Sequence, residues 1–248
     1  MSQRYKIIVE YDGTNLLGWQ KQLDGASAQE YLERAVFGFC AQKVEVCGSG
    51  RTDAGVHALG QVAHFDLDFV TDTFRIREAL NAHLRSMNAP VAVLSVETVD
   101  NDFNSRFSAQ KRRYIYRITN RKAPLIIDRF RSWWVYVPLN VEKMRQGAQL
   151  LLGYHDFTSF RAAKCQAKSP LKTLDKLDIS IAGEEILFTV EAKSFLHHQV
   201  RNMVGTLKMV GDGHLSPQDI STILESKNRS SAGPTAPAHG LYLDKIFY

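Results

Sequence analysis

The sequence predicts an α+β protein made of two similar α/β halves that share a largely antiparallel central sheet, with helices on one face. Short runs rich in Ile, Val, Phe and Tyr alternate apolar with polar residues, the pattern of half-buried strands. Between them, apolar residues recur at i, i+3, i+4 and i+7, the pattern of amphipathic helices. Both patterns run through each half of the 248 residues, and no Pro-, Gly- or Ser-rich linker separates the halves.

Residues 5–11 read as a strand closed by the turn signal Asp12-Gly13. A loop leads to Ser27-Ala-Gln-Glu30, a capping box, after which Leu32, Ala35, Val36 and Phe39 mark the apolar face of a helix. A strand starts over 44–47. Residues 48–60 form a glycine-punctuated loop, 61–65 a strand, and Ile76, Ala79, Leu80 and Leu84 one face of a second helix. The second half repeats the theme, with strands over 113–119 and 133–137 and a helix from Asn140 carrying Val141, Met144, Ala148 and Leu151. Leu177, Ile179 and Ile181 alternate, Gly183-Glu184 turns the chain, and Ile186, Phe188 and Val190 alternate back, which is a hairpin. Val200, Met203, Val204 and Leu207 form a buried helical stripe. Ser216-Pro217 reads as the N-cap and first residue of a last helix, and residues 241–243 as a closing strand.

Composition narrows the class. Hydrophobic residues make up 44% of the chain but are interrupted everywhere by charge, so no run approaches the roughly 20 apolar residues of a membrane span. The N-terminal residues enter a strand pattern directly, without a basic-then-apolar leader, so a cytoplasmic protein is expected. Cys40, Cys47 and Cys165 have no C-x-x-C spacing, which suggests neither a disulfide framework nor a zinc site and leaves reduced, mostly buried thiols as the expectation. The net charge of +5 is unevenly spread: residues 101–172 hold 15 Lys and Arg against 4 Asp and Glu. Aromatic residues are interleaved there, including Phe103, Phe107, Tyr114, Tyr116, Trp133 and Trp134. That mixture suits phosphate contacts beside stacked bases, and equally a strand-rich core with basic outward positions.

The loop over 48–60 draws attention to itself. Gly48, Gly50, Gly55 and Gly60 surround Arg51, Thr52, Asp53 and His57. Glycines let backbone approach a ligand, and an Arg two positions from an Asp can keep its carboxylate ionised, which suits a held nucleophile or base. The spacing alone also fits an ordinary salt-bridged turn.

The longer string is more specific. Gly50-Arg-Thr-Asp-Ala-Gly-Val-His57 with Gly60-Gln-Val-Ala-His-Phe65 resembles the signature of the TruA family of tRNA pseudouridine synthases. Further blocks match in order: Glu10-Tyr-Asp-Gly13 with Gly18-Trp-Gln20, Arg106-Phe-Ser with Arg112-Arg-Tyr-Ile-Tyr116, Asp156-Phe-Thr-Ser-Phe160, the stretch from Phe195-Leu-His-His to Gly205, and Gly240-Leu-Tyr-Leu243. Ser49 stands where the family usually has alanine, and Arg112 where it often has lysine.

This resemblance implies the pseudouridine synthase fold, and isomerisation of uridine at positions thirty-eight, thirty-nine and forty in the anticodon arm of tRNA by a homodimer with no cofactor and no metal. It makes Asp53 the essential carboxylate, with Arg51, Tyr114 and Arg201 in support. Tyr114 would lie over the flipped base, Leu241 and Leu243 would wall the uracil pocket, and Lys111, Arg112 and Arg113 would contact the RNA. Tyr116 should point away from Tyr114 and belong to the core. A helix starting after Phe195 would place His197 and Arg201 on one face. The expected halves are residues 1–105, with the Asp loop, and 106–248, with Tyr114 and the basic surface, the active site lying in a cleft between them.

Two other readings compete. A metal-dependent nuclease could use Asp53, His64, Asp66 and Asp68, although the last three also fit the outward face of a strand. A non-catalytic RNA-binding module would explain the basic aromatic stretch but not the Gly-rich Arg/Asp loop.

Overall fold

The stripe Tyr5, Ile7, Val9 and Tyr11 becomes the buried face of β1 (Gln3–Tyr11), all four side chains being almost fully enclosed. The computed structural model describes residues 2–22, 25–163 and 165–248. In chain order β1 is followed by α1 (Ala28–Cys40), β2 (Cys47–Gly48), β3 (His57–Leu67), α2 (Thr73–Ser86), β4 (Val91–Val99), β5 (Lys111–Asn120) and β6 (Trp133–Val135). Then come α3 (Val141–Gln149), β7 (Gly153–Asp156), β8 (Leu171–Ala182), β9 (Glu185–Ala192), α4 (Gln199–Gly211), α5 (Asp219–Ser226) and β10 (Leu241–Phe247). No helix among the described residues is long and apolar enough to cross a membrane. The chain divides into two compact units, Met1–Gln110 with Tyr242–Tyr248, and Lys111–Leu241.

In the first unit the strand order is β4-β1-β3-β10, with β2 paired to β3. All pairings are antiparallel except that of β10 with β3. Ser27 caps α1 by accepting the N–H of Glu30, and Asp72 caps α2 by accepting the N–H of Arg75, each satisfying a backbone donor that the first turn leaves over. The two helices pack on each other and on β4. β4 has no signal as clean as that of β1. Leu94 is exposed and Val91 and Val93 are buried, but the register then slips by a bulge opposite Ile8 and Val9, which breaks the alternation.

The second unit has strand order β5-β9-β8-β7, with β6 added in parallel to β5. The predicted β8–β9 hairpin is present, Gly183 taking φ +62 in the turn. Asn140 caps α3 as expected, whereas α5 starts later than the Ser216-Pro217 signal. The Ser216 hydroxyl and N–H both donate to the Asp219 carboxylate, so the pair makes a turn that precedes the helix. β7 lacks a sequence signal because its four residues, Gly-Tyr-His-Asp, carry no apolar alternation.

Helix α4 packs on α3 and β5, and Gly205 on it lies so close to the carbonyl of Pro234 that a Cβ would sit 1.8 Å from that oxygen. Asn202, fully buried on the same helix, donates from Nδ2 to Phe160 O (2.8 Å). Its Oδ1 accepts from Thr235 Oγ1 (2.7 Å) and Arg229 Nη2 (3.1 Å). Burial lowers the basicity of Arg229, so this acceptor matters. Asn202→Ala should lower stability by about 2–3 kcal/mol, because it strips buried partners rather than merely surface contacts. The check is a lower urea midpoint at unchanged m-value.

Candidate active site

Asp53 sits in the connection between the paired strands β2 and β3, which run Cys47 opposite His64 and Gly48 opposite Ala63. It opens a tight turn: the N–H of Val56 donates to Asp53 O at 3.1 Å, and Gly55 at the third position has φ +80. That position demands positive φ, so a glycine stands there for a backbone reason. Asp53 itself is half-buried, while Thr52, Val56 and His57 on either side are buried.

The turn is held from outside by the segment after β1. Trp19 N–H donates to Thr52 O (3.2 Å), Gly55 N–H to Leu16 O (3.3 Å), and Gly13 N–H to His57 Nδ1 (3.0 Å). Asp12 Oδ1 lies 3.2 Å from that same nitrogen, and the His57 ring stacks on Tyr242 with centroids 4.7 Å apart. The approach is close enough to require glycines. A Cβ on Gly13 would lie 2.1 Å from Val56 O, and one on Gly18, which has φ +95, would lie 2.2 Å from Thr52 O. Tyr11 Oη and Thr52 Oγ1 are 2.7 Å apart and buried, and Gln61 Nε2 donates to Gly50 O at 2.7 Å. Arg51 is exposed, its Nε donating to Gln20 Oε1 at 3.0 Å. The sequence motif contains Tyr11, Thr52, Gln61 and His57 but assigns them no task. A phenol ending an apolar stripe is the one signal available, since a buried hydroxyl needs a partner.

Of the carboxylates in the competing nuclease reading, Asp66 is engaged with Arg4. It forms two hydrogen bonds there, at 2.7 and 2.8 Å, and that guanidinium holds its carboxyl below the usual range. His64 is buried rather than outward-facing, because Ser105 and Phe103 cover it; Ser105 N–H donates to its Nδ1 at 3.2 Å, and burial lowers its basicity. The thiols of Cys40, Cys47 and Cys165 are unpaired with one another but half-buried, not mostly buried. Burial pushes the Cys47 thiol up, away from the reactive thiolate.

In the second unit, Tyr114 lies on β5 with its ring edge-on to Phe195 (5.2 Å between centroids). Tyr116 points to the core as predicted: it is fully buried, donates to Pro237 O at 2.8 Å, and has its phenol pushed well above the ordinary value by burial. Arg201 on α4 donates from Nε to Ala236 O (2.8 Å), while Ala236 N–H returns to Arg201 O (3.1 Å). His197 is not on the helix. It is exposed in the turn before it, and His198 is the N-cap with φ +62, so the helical spacing from His197 to Arg201 does not apply. Of the basic cluster, Lys111 and Arg113 both reach Glu191, at 3.4 and 2.7 Å. Burial of Glu191 favours its neutral form, but the two cations prevail and hold its carboxyl low. Arg112, between them on the opposite side of the strand, donates to Lys193 O. Leu241 and Leu243 are buried, and Leu243 pairs with Ala58.

Comparison with known proteins gives one answer. Residues 7–108 and 148–248 match the family described as tRNA pseudouridine synthase. A tRNA pseudouridine synthase A from Paramagnetospirillum magneticum is 56% identical over 247 residues, covering 99% of this chain and 95% of the relative. Relatives of the same description from Ehrlichia ruminantium and Rhizobium meliloti are 54% and 47% identical, each over 99% of both chains.

Proposed function

The chain belongs to the tRNA pseudouridine synthase family, and on that premise we propose that it isomerises uridine thirty-eight, thirty-nine or forty in the anticodon arm of tRNA through Asp53. The reaction class is isomerisation of uridine to pseudouridine in tRNA. The N1–C1′ bond breaks, the uracil turns, C5 bonds to C1′, and the C5 proton leaves while N1 gains one. The observation that carries the assignment to Asp53 is the turn that begins at this residue and is pinned to a second loop by three backbone N–H donors. A carboxylate on a backbone so held can attack C1′ or take a C2′ proton once its own side-chain rotation meets the sugar.

In this reading Tyr114 and Arg201 of the second unit serve the same uridine, and Leu241 and Leu243 wall its base. Arg51 pairs with Asp53 and takes up the space left when the nucleotide flips out, a step costing a few kcal/mol. Lys111, Arg112 and Arg113 contact the RNA backbone. The working form is a cytoplasmic homodimer without cofactor.

Incubating the protein with tRNA tritiated at uridine C5, in chelator, should release tritium to water in proportion to pseudouridine formed. Absence of release from a broad tRNA pool would overturn the assignment; metal-dependent cleavage of the tRNA chain, with the label kept on the base, would return the nuclease reading.

A further inference from the structure

We propose that Tyr11 and Thr52 are positioning residues for Asp53, a role that rests on reading Asp53 as the reacting carboxylate. Tyr11 ends the buried stripe of β1 just where the register with β3 shifts, between Val9 and Tyr11, and such an irregularity re-aims the side chain that follows it. Its hydroxyl meets Thr52 Oγ1 at 2.7 Å, with both residues buried, at 2% and 8% exposure. Thr52 directly precedes Asp53.

The backbone of Thr52 is already fixed, because its carbonyl takes the Trp19 N–H and abuts the Cα of Gly18. The hydroxyl pair fixes the side chain as well. With Thr52 drawn inward to Tyr11 and the turn closed by Val56, the chain enters Asp53 in one direction and leaves it in one direction. The carboxylate then keeps only the rotations of its own side chain. A glycosyl carbon must be met within a fraction of an ångström, and a misplacement of about 1 Å costs roughly a hundredfold in rate. A hydroxyl pair buried one residue from the carboxylate therefore acts on the chemical step and not on tRNA affinity.

The test uses isosteric changes, each of which removes one hydroxyl: Tyr11→Phe, Thr52→Val and the two together, with Thr52→Ser as the rescue and Asp53→Asn as the reference. Single-turnover tritium release and tRNA Kd are measured for each. Each single change is expected to slow release about tenfold with Kd within about twofold, the double variant to be no slower than the worse single one, and Thr52→Ser to recover most of the rate. Wild-type rates in Tyr11→Phe and Thr52→Val, with or without a lower melting temperature, would reduce the pair to a structural contact, as would losses that multiply in the double variant or fall mainly on Kd. If Asp53→Asn remains active, the reading of Asp53 fails; if it is dead while the hydroxyl variants turn over normally, only the positioning role fails.

Discussion

Asp53→Asn is expected to lower single-turnover isomerisation by about 10⁴-fold or more while tRNA Kd changes by no more than a few-fold. Asparagine has nearly the shape of aspartate, and the backbone bonds that build the turn, from Val56 to Asp53 and from Trp19 to Thr52, do not involve its side chain. The loop should therefore keep its form. What is lost is the negative oxygen, and an amide neither attacks C1′ nor accepts a C2′ proton at neutral pH. Rapid-quench assays with C5-tritiated tRNA, paired with a binding isotherm for the same variant, separate the two effects. A residual rate within tenfold of wild type would move the chemistry to another group, and a parallel collapse of binding would make Asp53 a binding residue.

The largest structural effect is expected at Gly205. A Cβ there would stand 1.8 Å from Pro234 O, a backbone atom that cannot swing aside as a flexible side chain could. The Pro234 region is tied to α4 through Gly233 N–H on Thr206 Oγ1, Ala236 N–H on Arg201 O, and Thr235 on Asn202. Gly205→Ala must therefore shift the whole connection, and we expect a loss of about 3 kcal/mol or more, at the upper end of overpacking effects. Gly183→Ala is the control. It has φ +62 but nothing within 4 Å of the added atom, so only the left-handed strain of about 1–2 kcal/mol should appear. Urea denaturation of the two variants side by side would decide it, and equal midpoints would refute the packing argument.

Much of this was legible in the residues. Strand and helix periods located β1, β3, β5, β8, β9 and the helices, because each buries one face on neighbours and so must alternate. Short edge elements were shifted or missed: the strand expected over 44–47 is the two-residue β2, Cys47–Gly48, and β7 has four residues with no apolar alternation. Asp53 was found by resemblance and not by spacing. His197 was misplaced because a helical offset was counted from a residue that the left-handed His198 separates from the helix. What no pattern could give was the set of contacts from residues 11–19 to the Asp loop, which joins positions about 40 apart by backbone carbonyls, a phenol and two glycines. Carbonyl geometry leaves no mark on composition, and glycines say only that something comes near.

The first unit takes its last strand from residues 242–248, and Tyr242 lays its ring on His57 beside the Asp loop. A ribosome making this chain releases residues 1–110 before that ring exists, so His57 and Ala58 of β3 lack their β10 partners throughout the synthesis of the second unit. The order of manufacture thus differs from the order of assembly. The contact of Tyr242 with His57, beside the Asp53 loop, therefore forms only after the second unit has been made.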